Sequence, residues 1–287
     1  DPKFLNDVLK QFPDFGQYTD DTQLARELII SYKNCGTFDP QDYANRLANL
    51  YSSGQIVGIG LATRESAKRI LNGVPWNESG EPAPTAGNGT AMRSAPIGLI
   101  YYKDLEKMIK ISCDHSIITH KDKRCSAGSV AIAGSVAFVL ENQNLSTETL
   151  VNKIVELTKN IDKSFAISLE KLIDWVSLDW QVAQAKISKE GVDPKFLDGW
   201  PGISPFVLSS VLWSLYSFLK TPTNFWDTIY TSIIVGGDVD TTAAMAGAIS
   251  GAYLGIEAIP DWAKSVIHDK GKWKYDELST LAQSIYN

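Results

Sequence analysis

Four aspartates fall in two short clusters near opposite ends of the chain, Thr19-Asp20-Asp21-Thr22 and Asp238-Val239-Asp240-Thr241, and each cluster opens a helical pattern. Carboxylate and hydroxyl oxygens are the donors that hard divalent cations such as Mg²⁺ and Mn²⁺ prefer. Brought together, the clusters would place up to four negative charges in one pocket, where they repel and raise one another's pKa unless cations neutralise them. The pair therefore reads as two halves of one site for more than one metal ion. Taken singly, each cluster reads as readily as a helix N-terminus, where Asp and Thr cap free N–H groups and complement the helix dipole.

The surroundings of the second cluster favour the metal reading. Gly236-Gly237 precedes it, and Ala243, Gly247, Gly251 and Gly255 recur every fourth residue after it. On a helix that spacing makes a smooth stripe on which a neighbouring backbone can lie close, despite a cost of about 1 kcal/mol for each interior glycine. The expectation is a buried helix whose N-terminus holds Asp238 and Asp240 rigidly. Gly236 and Gly237 would let the preceding loop take dihedrals closed to other residues.

The elements that must position these groups are helical throughout, with no strand-type alternation. Leu24, Leu28 and Tyr32 mark one face of a first helix that ends near Gly36, and Asp39-Pro40 caps a second carrying Tyr43, Leu47 and Leu50. Further helices are expected near 60–72, 90–101, 103–113, 126–140, 147–159, 163–186, 205–219, 223–234, 241–254 and 274–286, with loops at 73–89 and 189–204. There is no tandem repeat or low-complexity tract, and the chain reads as one all-α domain over residues 1–287.

Three blocks in order give the chain a resemblance to the ADP-ribosylglycohydrolase family. They are Tyr18-Thr19-Asp20-Asp21-Thr22, Gly87-Asn88-Gly89-Thr90-Ala91-Met92-Arg93-Ser94-Ala95-Pro96, and Gly236-Gly237-Asp238-Val239-Asp240-Thr241. A weaker fourth is Thr119-His120 with the small-residue run from Ala127 to Ala137. The resemblance implies a compact orthogonal multi-helix fold and two Mg²⁺ or Mn²⁺ ions held by Thr19, Asp20, Asp21, Asp238, Asp240 and Thr241. It further implies hydrolysis, through a water activated by the metal pair, of the bond joining ADP-ribose to a protein side chain or to another ADP-ribose. Asp21, Asp238 and Asp240 would be the catalytic carboxylates, one of them accepting the proton from water. Gly87, Asn88, Gly89, Met92 and His120 would bind substrate, an ADP-ribosylated protein being the expected partner and a monomer the expected state.

One departure bears on mechanism. Family members carry a Gly-Asp-Ala-Leu-Gly-like segment and a glutamate ahead of the Thr-Asp-Asp block, whereas here eighteen residues precede Thr19 and none is Glu. Two readings stay open: the chain lacks its natural N-terminal segment, or the protein lacks that group, with Asp14 a shorter substitute and Glu27 the first glutamate.

Gly87-Asn88-Gly89 reads as a phosphate and ribose platform, since residues without Cβ let backbone N–H groups approach oxygen and the following helix would offer its positive end. The triplet alone is equally a turn. Arg93 is open between a phosphate clamp and a partner for an internal carboxylate, and His120 between a ligand contact and a structural hydrogen bond. Trp76, Trp200 and Tyr253 are read as core rather than as adenine platforms.

Composition sets the outer limits. A net charge of −6 and a pI near 5.2 argue against a nonspecific nucleic-acid binder. Cys35, Cys113 and Cys125 make neither a metal-binding spacing nor an even disulfide framework, and read as reduced, buried thiols of a cytoplasmic protein. Uncharged stretches at 203–219 and 241–256 are diluted by Ser, Gly and Thr and read as core helices, not membrane spans. Two rivals to the enzyme remain: a metal-dependent ADP-ribose-binding protein with little turnover, and a crystallin-like structural relative. Intact clusters speak against the latter, because buried carboxylates destabilise a scaffold that has no use for them.

Overall fold

The computed structural model describes residues 15–142, 144–192 and 200–285. Its α-helices are α1 (Asp20–Cys35), α2 (Pro40–Ser52), α3 (Leu61–Leu71), α4 (Ala95–Tyr101), α5 (Leu105–Ile117), α6 (Lys123–Glu141), α7 (Thr147–Thr158), α8 (Lys163–Glu170), α9 (Leu172–Trp175), α10 (Trp180–Ile187), α11 (Val207–Lys220), α12 (Phe225–Ile233), α13 (Val239–Leu254), α14 (Asp261–Val266) and α15 (Tyr275–Gln283). Among the described residues there are isolated β-bridges but no strand, so the all-α expectation holds.

The local signals behave as their chemistry requires. Gly36 closes α1 at φ 72°, and its N–H bonds the Tyr32 carbonyl. Asp39 accepts from the N–H groups of Gln41 and Asp42, with Pro40 in the first turn of α2. Leu24, Leu28, Tyr43 and Leu47 are all buried.

The centre is α6, whose buried residues run around the whole helix, as expected of a helix enclosed by others. It packs against α4, α5, α7, α11 and α13. Small residues allow the approach: a Cβ on Gly98 of α4 would stand 2.2 Å from the Ala133 carbonyl oxygen. Among the described residues α6 alone is long and apolar enough to cross a membrane, yet 78% of that stretch is buried inside the protein. The serine-rich α11 is buried as well. Its hydroxyls donate one turn back, Ser210 to Phe206 O at 3.0 Å, Ser214 to Ser210 O at 2.8 Å and Ser217 to Trp213 O at 2.8 Å, which satisfies these three within their own helix.

Several expected elements differ. The helix expected at 163–186 is broken into α8, α9 and α10; between α9 and α10 tertiary donors capture the carbonyls, Tyr216 Oη donating to Leu178 O at 2.9 Å and Lys220 Nζ to Val176 O at 3.0 Å. The helix expected at 90–101 begins only at Ala95, after a 3₁₀ turn at Asn88–Thr90. Pro96 sits in its first turn, the place where a missing N–H is harmless. The short α14 carried no periodic signal. Of the three cysteines only Cys125 is buried, Cys35 being exposed and Cys113 intermediate.

The glycine stripe of α13 is also not what its spacing suggested. The buried face carries Thr241, Thr242, Met245, Ala246, Ile249 and Ser250. A Cβ on Gly247 would meet the Ile229 side chain at 2.9 Å, while one on Gly251 would meet nothing within 4 Å. Two glycine substitutions should therefore shift stability in opposite directions. Gly98→Ala should destabilise by about 1–3 kcal/mol through overpacking, and Gly251→Ala should stabilise by about 0.5–1 kcal/mol, both read by chemical denaturation.

Candidate functional site

Thr19 occupies the N-cap position of α1 but makes no capping bond. Its hydroxyl instead donates to Asp21 Oδ2 at 2.7 Å and lies 3.3 Å from Asp240 Oδ2, across 221 residues of sequence. Asp238, the N-cap of α13, likewise caps nothing with its side chain; its Oδ2 accepts from Asn88 Nδ2 at 2.6 Å. The capping reading is thus excluded for both residues, and the carboxylates turn toward each other.

Each cluster is held by its own frame. The Asp20 N–H bonds Val57 O at 2.8 Å. Gln23 braces the same loop, donating to Gln55 O at 3.0 Å and accepting from Val57 N at 2.8 Å. Gln23 also donates to Asp269 at 2.8 Å, and buried Arg26 pairs with the same carboxylate at 2.7 Å, tying the first helix to the segment before α15. The second cluster rests on a backbone crossing. Ile203 N donates to Gly236 O and Asp238 N to Ile203 O. Gly236 and Gly237 stand at φ 73° and 88°, and a Cβ on Gly237 would fall 2.1 Å from Ile203 O, so both conformation and space demand glycine there.

The two frames enclose a cleft of about 380 Å³ lined by Asp20, Asp238, Asp240 and Thr241 together with Gly87, Asn88, Gly89, Met92 and His120, within the size range of small-molecule sites. Thr19 and Asp21 are not in its wall and join it through the Thr19 contact with Asp240. Burial, reinforced by the Asp21 charge, raises the Asp20 pKa to about 8. Burial likewise raises Asp21 to about 6 against the pull of the Thr19 hydrogen bond. Asp238 is raised by burial too, opposed by the Asn88 hydrogen bond. Carboxylates in this state are short of positive charge.

The residues fit divalent cations in three respects. Their donors are all hard oxygens; Asp20 and Asp21 are buried against their own repulsion, with Asp238 half-buried and Asp240 exposed beside them; and Asp21 Oδ1, buried with no hydrogen-bond partner, is an orphan acceptor. Among the described residues no three acidic, imidazole or thiol side chains form a ready-made cage, so no coordination geometry is assigned.

Other expectations are corrected. Gly87-Asn88-Gly89 leads into a three-residue 3₁₀ turn, not a helix, so no helix dipole serves a phosphate there; Pro96 delays the helix. Arg93 is fully buried and neither clamps a phosphate nor pairs directly with a carboxylate. Its Nε donates to His115 Nε2 at 3.0 Å and its Nη2 to Thr119 Oγ1 at 2.7 Å. His120 lines the cleft, but burial and the Arg93 charge push its pKa down to about 3, so the ring is neutral. Glu27 is engaged by Arg26 at 3.0 Å and Arg46 at 3.6 Å, and Asp14 lies outside the described residues. Trp200, read as core, is 55% exposed and lines the cleft. The loop of Gly58 and Gly60 with Thr63 in the first turn of α3, also in the wall, was not anticipated. Its only signal was a Gly-Ile-Gly triplet immediately before a helix.

The sequence profile of the ADP-ribosylglycohydrolase family matches residues 2–287. ADP-ribosylhydrolase ARH3 of Xenopus tropicalis is 30% identical, over 92% of this chain and 83% of its own length, and that of Homo sapiens 29%, over 94% and 78%. ADP-ribosylarginine hydrolase Tri1 of Serratia proteamaculans is 27% identical, over 94% and 67%. A solved structure described as an ADP-ribosylglycohydrolase-related protein complex superposes with a TM-score of 0.69 at 24% identity, over 94% of this chain and 81% of that one, a likeness of fold. The chain belongs to the ADP-ribosylglycohydrolase family.

Proposed function

We propose that this protein is a metal-dependent hydrolase that cleaves the glycosidic bond of ADP-ribose attached to a protein side chain or to another ADP-ribose. The carrying observation is the convergence of two acidic clusters, 221 residues apart, on one threonine hydroxyl beside a cleft. The family assignment and the hydrolase names of the relatives support the same class of reaction.

In this reading Thr19, Asp20, Asp21, Asp238, Asp240 and Thr241 hold two Mg²⁺ or Mn²⁺ ions. When bound, such ions neutralise the carboxylates, lower the pKa of water and orient ribose hydroxyls. The chain's own residues do the rest. Asn88 fixes the Asp238 carboxylate and Thr19 fixes Asp21, so neither needs to reorient as charge develops. The acidic wall stabilises positive charge on an oxocarbenium-like ribose, and one of Asp21, Asp238 and Asp240 accepts the proton from water. The Gly87–Gly89 turn leaves room for the sugar-phosphate, and His120 offers it a neutral polar group.

A second reading, ADP-ribose binding with little turnover, is favoured by one observation: among the described residues no glutamate lines the cleft. Incubating the protein with Mg²⁺ or Mn²⁺ and a panel of ADP-ribosylated substrates, with EDTA controls, decides between them. Free ADP-ribose detected by mass spectrometry supports the hydrolase, and metal-dependent binding without release supports the binder.

Asp238→Asn and Asp240→Asn should each lower metal-dependent release at least about 100-fold with the circular dichroism spectrum unchanged; undiminished release would remove these residues from the site. A thermal prediction follows from Asp20 and Asp21, whose folded pKa values, about 8 and about 6, lie above the ordinary 3.8. The folded state then holds more protons than the unfolded state between about pH 4 and pH 8, so metal-free stability falls as pH rises through that window. The EDTA-treated protein should have a lower Tm at pH 8 than at pH 6. Mg²⁺ or Mn²⁺ should raise it most at pH 8, and Asp20→Asn should flatten the dependence. A metal-free Tm that rises with pH would contradict the electrostatic account.

A further inference from the structure

From His120 in the cleft wall a chain of buried polar groups runs into the interior. Arg93, His115 and Thr119 are fully buried and His120 is 3% exposed. Arg93 Nε donates to His115 Nε2 at 3.0 Å, Arg93 Nη2 donates to Thr119 Oγ1 at 2.7 Å, and Thr119 Oγ1 lies 2.9 Å from His120 Nδ1. Donor and acceptor roles along this chain follow from a count of protons. A guanidinium can only donate, so Thr119 Oγ1 is an acceptor toward Arg93. The hydroxyl has a single proton, and His120 Nδ1 is the acceptor within reach. Were Nδ1 protonated instead, two donors would face one hydroxyl and its own proton would be stranded in the interior, at the expense of an unmade hydrogen bond. Thr119 thus donates to Nδ1, which leaves the ring proton of His120 on Nε2.

That proton has somewhere to go. A Cβ on Gly87 would lie 3.2 Å from His120 Nε2 and one on Gly89 3.1 Å from Cε1, so this edge of the ring abuts the glycine turn, and His120 itself lines the cleft. We propose that Arg93 and Thr119 are positioning residues which, through two successive hydrogen bonds, lock His120 as the Nε2–H tautomer and so present a fixed, uncharged N–H donor to an oxygen of the ligand's ribose or phosphate groups. The role of His120 toward ADP-ribose rests on the proposed function, whereas the tautomer lock is a property of the free protein. By the same count His115, which accepts at Nε2, carries its proton on Nδ1, the buried atom that has no partner. The two histidines are therefore opposite tautomers on either side of one arginine.

The test is long-range ¹H–¹⁵N correlation of the histidine rings in the ligand-free protein between pH 5 and 8, simple to assign because the sequence holds three histidines, with His120→Gln identifying the His120 signals. The expected result is a neutral Nε2–H pattern for His120 and a neutral Nδ1–H pattern for His115. Thr119→Val, which keeps the shape and removes the hydroxyl, should turn the His120 pattern into a mixture of tautomers while leaving His115 unchanged, and Thr119→Ser should restore it. Calorimetric titration with ADP-ribose should then show about a tenfold weaker affinity for Thr119→Val and near-native affinity for Thr119→Ser. A His120 ring protonated on Nδ1, or charged above pH 6, or unaltered in Thr119→Val, would overturn the proposal. Failure of the wild-type protein to bind ADP-ribose would overturn the proposed function instead, with the tautomer readout unaffected.

Discussion

The mutual repulsion of buried carboxylates is the constraint on which the rest of the molecule depends. Asp20 and Asp21 are 6% and 4% exposed, and the second cluster adjoins them through the Thr19 hydroxyl, which contacts both Asp21 and Asp240. Burial and like charge both drive such groups toward protonation. Their arrangement is stable only if something supplies positive charge or if the scaffold is rigid enough to hold it without. The scaffold does its part through paired braces. Gln23 and the Val57 loop hold one cluster, the Ile203–Gly237 crossing and Asn88 hold the other, and the Arg26–Asp269 pair ties α1 to the far end of the chain.

The fold serves this constraint through close packing of small residues. A central helix enclosed on all sides allows α4, α11 and α13 to approach it, which brings Asn88, Ile203 and Asp238 to one place although they are distant in sequence. Arg93 has a parallel role. It is the buried cation nearest in effect to Asp20, lowering its pKa without a direct bond, and it also depresses both neighbouring histidines. One guanidinium thereby biases the acidic wall toward charge and the facing histidine toward neutrality.

Much of this was legible in the sequence. The two acidic clusters, the Gly236-Gly237 turn, the caps at Gly36 and Asp39-Pro40 and the all-helical pattern depend on local chemistry, which a sequence carries directly. What was not legible depends on tertiary partners. The break after α9 exists because Tyr216 and Lys220 reach carbonyls of Val176 and Leu178, about forty residues away in the chain. The glycine stripe of α13 was only partly informative, because spacing shows that a smooth face exists and not which of its glycines a neighbour uses: α12 closes on Gly247, and nothing lies over Gly251. Arg93 matched neither role its sequence suggested, since its partners, His115 and Thr119, are neutral groups brought in by α5 and the turn after it. The Gly58–Thr63 wall of the cleft was missed because its glycines carry no chemistry until the other wall stands opposite.

The central claim is that the two acidic clusters together form one divalent-cation site. Anomalous diffraction at the manganese edge, from crystals of the protein grown with Mn²⁺, tests it most directly. The account predicts two peaks about 3.5–4 Å apart within coordination distance of carboxylates from both clusters. Peaks confined to one cluster, or none between them, would contradict it.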